Sequence, residues 1–170
     1  GTSNGLNCYY GSGNKIYRNV LNDKYSLGNN FVSSLMEEGE DLWIGTSSGL
    51  YIYDRSDDHF LYFDKTTKYG VFISCEVKKI VKTKNGLIWI ATLGQGIFIY
   101  DPAKDVLTQN SIRTFFAWDI CQGTDSLVYV SSMQEGLLCF DEEGTFLQNY
   151  PVSSELSIGN QRINCLHSIE

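Results

Sequence analysis

One phrase recurs along this chain and limits what it can fold into. Leu42-Trp43-Ile44-Gly45-Thr46-Ser47-Ser48-Gly49-Leu50-Tyr51-Ile52-Tyr53-Asp54 reads as an apolar run, a glycine-bearing turn, a second apolar run and an acidic stop. It returns as Ile88-Trp89-Ile90-Ala91-Thr92 followed by Gly96-Ile97-Phe98-Ile99-Tyr100-Asp101. It returns again, more degenerate, as Val128-Tyr129-Val130-Ser131-Ser132 followed by Gly136-Leu137-Leu138-Cys139-Phe140-Asp141. The aromatic marker of each copy falls at Trp43, Trp89 and Tyr129, 46 and then 40 residues apart. Repeats of roughly 40–50 residues built from several short strands are the mark of β-propeller blades. The segments are short, β-branched and aromatic, with no sustained helical stripe, which excludes helical repeats of similar length.

Each copy carries two further strands. Phe31–Met36, Val77–Val81 and Ala117–Cys121 precede the hairpin; His59–Phe63, Val106–Gln109 and Thr145–Tyr150 follow it. Four antiparallel strands make one blade. The hairpin runs are apolar on both faces, as expected of inner strands covered on each side by neighbouring blades. The small residues at 45, 91 and 131 fit a place where the next blade approaches closely. Trp43 and Trp89 read as inter-blade packing. The expected fold is all-β, a propeller portion of four-stranded antiparallel blades. Its divisions are the second half of a blade over 1–21, blades over 22–64, 65–109 and 110–150, and the start of a further blade over 151–170. At the first of these, Gly1-Thr2 aligns with Gly45-Thr46; at the last, Ile163-Asn164-Cys165-Leu166 aligns with an inner strand. A four-bladed closure in which the two ends complete one blade would lack a strand. An open piece would expose strand edges and apolar blade faces, favouring self-association.

The lead-in Ser26-Leu27-Gly28-Asn29-Asn30-Phe31-Val32, together with Leu42 to Asp54, resembles the two-component regulator propeller repeat. The second copy departs from that pattern at Ala91, and the third at Tyr129, Ser131 and Phe140. The resemblance implies the extracytoplasmic, periplasmic sensor region of a hybrid two-component system from glycan-degrading gut bacteria. In that family two propellers precede a β-sandwich, a membrane helix and a histidine kinase. The partners it implies are an oligosaccharide ligand, the remaining blades and the signalling domains of the same protein.

Charge narrows the partners. The formal net charge is −7 with no basic stripe, which argues against nucleic acid. Only Lys78-Lys79 with Lys82 and Lys84 forms a basic cluster that could meet a glycan polyanion, and alternation along a strand favours a plain surface there. There is no apolar run long enough to cross a bilayer as a helix. The cysteines Cys8, Cys75, Cys121, Cys139 and Cys165 have no metal-ligand spacing. Cys8 and Cys139 fall at the repeat position of Ile52 and Ile99 and read as small buried hydrophobes. A Cys121–Cys165 bridge is conceivable but not favoured.

Neither histidine, His59 nor His167, belongs to a recognisable catalytic arrangement. Asp54, Asp101 and Asp141 share one repeat position and read as turn formers. No catalytic residue, metal site or cofactor is expected. Ligand-binding candidates come from the loops joining each outer strand to the next inner strand and from the turns inside each hairpin. Phe31, Glu76, Phe116 and Arg162 each precede an inner strand and are expected around the axis. Phe115, Phe116 and Trp118 add planar aromatic surface, while Arg113 and Arg162 could pair with a carboxylate or sulfate. A ligand-sensing propeller is the leading expectation. A scaffold for dimerisation is the first rival. A propeller lyase or glycosidase is the second, and would need acidic residues converging near the axis, where only Glu76 qualifies.

Overall fold

The computed structural model describes residues 1–112, 114–151 and 163–167, and builds them into four antiparallel sheets. A two-stranded sheet pairs β1 (Leu6–Tyr10) with β2 (Gly13–Tyr17). Blade I follows as β3 (Val32–Glu38), β4 (Asp41–Thr46), β5 (Gly49–Asp54) and β6 (His59–Tyr62). Blade II is β7 (Glu76–Lys82), β8 (Ile88–Leu93), β9 (Gly96–Asp101) and β10 (Val106–Gln109). Blade III is β11 (Ala117–Gln122), β12 (Val128–Ser132), β13 (Gly136–Phe140) and β14 (Phe146–Tyr150). Each blade is a meander whose strands pair in chain order. The fold is therefore all-β, with multiple four-stranded antiparallel blades.

Each blade buries one face against the next. Trp43 of blade I joins Val77, Ile80, Ile90 and Phe98 of blade II in one core. Trp89 of blade II joins Ile120, Val130, Leu138 and Phe140 of blade III in another. The indoles pack between blades, at 5.7 Å from the Tyr100 ring for Trp43 and 5.6 Å from the Phe140 ring for Trp89. A third cluster sets Leu6 and Tyr17 of the two-stranded sheet against Leu27, Val32, Ile44 and Phe60 of blade I. Gly1 takes part in the same pattern. A β-carbon on it would meet Val32 Cγ1 at 2.5 Å, just as one on Gly45 would meet Val77 Cγ1 at 2.7 Å.

Two details differ from the sequence reading. Cys8 is exposed, whereas Cys139 is buried as expected. By alternation Cys8 shares the face of Leu6 and Tyr17 that packs toward blade I, yet it stays exposed, so repeat position alone does not bury it. Residues 163–167 carry no strand, although a strand was expected over Ile163–Leu166. Even so, the Leu166 N–H donates to Asp119 Oδ2 at 2.7 Å, and the repeat-equivalent Ile80 N–H donates to Ser34 Oγ at 3.1 Å. Leu166 thus makes toward blade III the contact that Ile80 makes toward blade I. The Asp ladder does form turns: Asp54, Asp101 and Asp141 each accept backbone N–H bonds two to four residues on. Cys121 and Cys165 are free thiols.

Candidate ligand sites on the loop face

In a four-stranded meander the loops entering inner strands and the turns of the central hairpins lie at the same end of the blade. Two concavities open there, and they divide the expected residues between them.

The larger is a groove of 640 Å³ between blades II and III. Its walls are Thr67-Lys68-Tyr69 after β6, the Gly94-Gln95 turn, the end of β10, and Asn110–Ile112 with Thr114 and Phe115. Gln95 holds these walls together. Its Nε2–H donates to Phe72 O at 2.9 Å, its Oε1 accepts from Ser74 N–H at 2.8 Å, and its carbonyl accepts from Gln109 Nε2 at 2.7 Å. Across the groove, Gly94 N–H donates to Phe115 O at 2.6 Å. Tyr69 and Phe115 remain 81% and 54% exposed, and Lys68 Nζ lies 5.0 Å from the Tyr69 ring centre. The result is a tethered cleft with two open rings and a floor of amides and hydroxyls.

The smaller is a cleft of 380 Å³ at the axis, lined by the inner strands of all three blades and by Asn164. Phe31 and Trp118 line it. Glu76 does not, but its carboxylate accepts from Lys78 Nζ at 2.9 Å, and that ammonium lies 4.2 Å from the Trp118 ring centre. Phe116 is partly exposed and pairs its backbone with Leu93 instead of facing the cleft. Arg113 and Arg162 lie outside the described residues.

The sequence reading missed how the cleft is built. Each inner strand carries a bulge at one repeat position, between Val32 and Ser34, between Val77 and Lys79, and between Ala117 and Asp119. A bulge inserts an unpaired residue and re-aims side chains. The inserted residues are Ser33, Lys78 and Trp118, and all three line the cleft. Lys79 and Asp119 line it too, although neighbours on a regular strand point to opposite faces. The Lys78-Lys79 pair was the available signal, but strict alternation assigned it to a plain surface.

Other candidate chemistry is dispersed. His59 stacks on Tyr25 with ring centres 4.1 Å apart, in an outer strand. Among the described residues no group of three or more His, Cys, Asp or Glu could hold a metal ion.

Residues 26–48 match the two component regulator propeller family. That stretch is one copy of the repeat, and the match does not extend over the rest of the chain. No curated protein matches it. Among solved structures, the extracellular domain of BT4673 from B. thetaiotaomicron, named there as a one component system, is 21% identical with a TM-score of 0.73. The match covers 87% of this chain and 23% of that one. The extracellular domain of BT3049 from B. thetaiotaomicron, named as a hybrid two component system, is 18% identical with a TM-score of 0.53, covering 96% of this chain and 28% of that one. Virginiamycin B lyase from Staphylococcus aureus is 11% identical with a TM-score of 0.55, covering 73% and 42%. These likenesses carry the propeller fold. The chain spans about a quarter of the length of the two B. thetaiotaomicron domains.

Proposed function

We propose that this chain is part of the periplasmic sensor region of a hybrid two-component system, receiving a glycan-derived oligosaccharide and signalling to a histidine kinase outside it. The family match and the kinship with extracellular domains of such systems support the sensor role. The groove between blades II and III supports the ligand class. Its volume falls within the roughly 300–1,000 Å³ typical of ligand pockets. The carrying observation is the pair of exposed rings, Tyr69 and Phe115, flanking amides held in place by Gln95. A sugar presents an apolar ring face to an aromatic side chain and hydroxyls to amides, so a chain of two or three rings matches this alternation.

Titration calorimetry of the chain against a panel of neutral and acidic oligosaccharides tests the reading. A ligand should bind saturably, and Phe115→Ala and Tyr69→Ala should each weaken it about tenfold or more, a loss of about 1.4 kcal/mol. Both side chains are exposed, so melting temperatures should hardly change. Saturable binding that both variants leave intact would remove the groove from the mechanism. No binding across the panel would favour the scaffold reading.

A further inference from the structure

We propose that the axial cleft is a second binding site, one that takes a single sugar-like ring bearing an anionic group. This does not rest on the oligosaccharide reading of the groove; it follows from the chemistry that the three bulges bring together.

The repeat holds geometry constant there and varies chemistry. The flanking positions stay apolar (Val32, Val77 and Ala117 before the bulge; Leu35, Ile80 and Ile120 after it), while the inserted residues are a hydroxyl, an ammonium and an indole. Such asymmetry gives a ligand one defined orientation. Trp118 and Phe31 supply planar apolar surface, and Asn164 adds an amide.

The charge follows from which hydrogen-bonding capacity is already used. Ser33 Oγ–H faces two carbonyls, those of Gly45 and Val77. Asp119 is buried, with Oδ1 accepting from Ile120 N–H at 2.9 Å and Oδ2 from Leu166 N–H at 2.7 Å. Lys78 is bound to Glu76. Lys79 differs. Its Nζ forms an ion pair with Asp119 Oδ1 at 3.6 Å, too long for a hydrogen bond, and its side chain is 42% exposed. An ammonium has three donors and no acceptor. Lys79 therefore keeps its hydrogen-bond donors free for a ligand while balanced in charge by the more distant Asp119, and an anionic group is the acceptor that would bind them most strongly. At 380 Å³ the cleft lies near the lower end of the usual range for ligand pockets, which suits one ring and not a chain.

Three probes decide the matter: D-glucuronate, glucose 6-sulfate and D-glucose, titrated into the chain at low and high salt. At least one charged ring should bind saturably, at least tenfold tighter than glucose, and should weaken as salt is raised; the tighter of the two identifies the anion. Lys79→Gln should lose that preference, Lys79→Arg should retain it, and Phe115→Ala in the groove should leave it unchanged. On the unmodified chain, the Trp118 indole N–H resonance, assigned with Trp118→Phe, should shift along the same titration. That readout stands even where a Lys79 variant folds poorly. Equal affinity for glucose and the charged rings, sensitivity to Phe115→Ala in place of Lys79→Gln, or an indole signal that does not move would overturn the proposal.

Discussion

At the scale of single residues, the repeat shows a trade of volume between neighbouring blades. Gly45 faces Val77, and an added β-carbon would lie 2.7 Å from Val77 Cγ1 and 3.2 Å from Ser34 Cβ. One blade on, position 45 becomes Ala91 and position 77 becomes Ala117, both wholly buried in the same core cluster. Where the facing residue loses two methyl groups, the small residue gains one. Gly45→Ala is therefore expected to destabilise the chain by about 1–3 kcal/mol, since overpacking a filled interface forces neighbours out of position. Val77→Ala should relieve that strain. In a denaturant double-mutant cycle the pair should cost less than the sum of the single changes by about 1 kcal/mol. Strict additivity would mean that the two positions do not press on each other. The indole of Trp89 shows the other limit of such packing: it is fully buried, and its N–H has no hydrogen-bond partner among the described residues.

At the scale of elements, two kinds of device join the blades, and they differ in how far the sequence announces them. The outer device is a clamp. The Asp58 carboxylate accepts from Lys15 and Tyr17 of β2 and from Tyr53 of β5, tying the two-stranded sheet to blade I. It recurs one blade on, where Asp105 accepts from Lys65 and from Tyr100 at 2.6 Å. Blade III has Phe140 and Thr145 at these positions and lacks it. Hydrogen bonds from Lys15 first, then Tyr53 and Tyr17, hold the Asp58 carboxyl down to about 2. A carboxyl whose folded value is depressed contributes stability above its unfolded value, near 3.9, and loses that contribution as pH falls through the folded value. Melting temperature should therefore drop between about pH 4 and pH 2. Asp58→Asn should lower the plateau at neutral pH and flatten part of that slope. The positive φ of 59° at Asp58 is one that asparagine tolerates, so the backbone is not strained by the change. An unchanged slope in the variant would assign the acid sensitivity elsewhere. The clamp residues are visible in sequence as a Tyr followed five residues later by Asp, but nothing local shows that the lysine comes from the preceding repeat. The inner device, the bulge, is less legible still. Hydrophobic period and turn glycines locate strands within a residue or two, and they placed Trp43, Trp89 and the three hairpins correctly. A bulge depends on how two strands register, so Ser33, Lys78 and Trp118 give no local sign of it. Phe116 holds the repeat position of Phe31, yet only Phe31 lines the cleft, so repeat position alone does not decide which loop aromatic reaches it.

At the scale of the whole molecule, blade stacking explains where surface remains uncovered. Leu6 and Tyr17 pack the two-stranded sheet onto blade I. Alternation then turns Asn7, Tyr9, Asn14 and Ile16 to the opposite face, where Tyr9 is 78% exposed and Ile16 is also exposed. Within a stack this is the kind of face that another blade covers. We propose that in the isolated chain a second copy covers it. Burial of apolar area is worth roughly 25 cal/mol per Å², so two aromatic and aliphatic side chains from each copy give a measurable but concentration-dependent association. Light scattering should report a mass that rises with concentration from monomer toward dimer. Tyr9→Lys combined with Ile16→Lys should hold the chain at the monomer mass, because bringing four lysines together across such an interface is unfavourable. Both side chains are exposed in the single chain, so the double variant should melt near the parent temperature at dilute concentration. A parent mass that stays monomeric at every concentration would show that this face is tolerated in water. An association that persists in the double variant would move the interface to another surface.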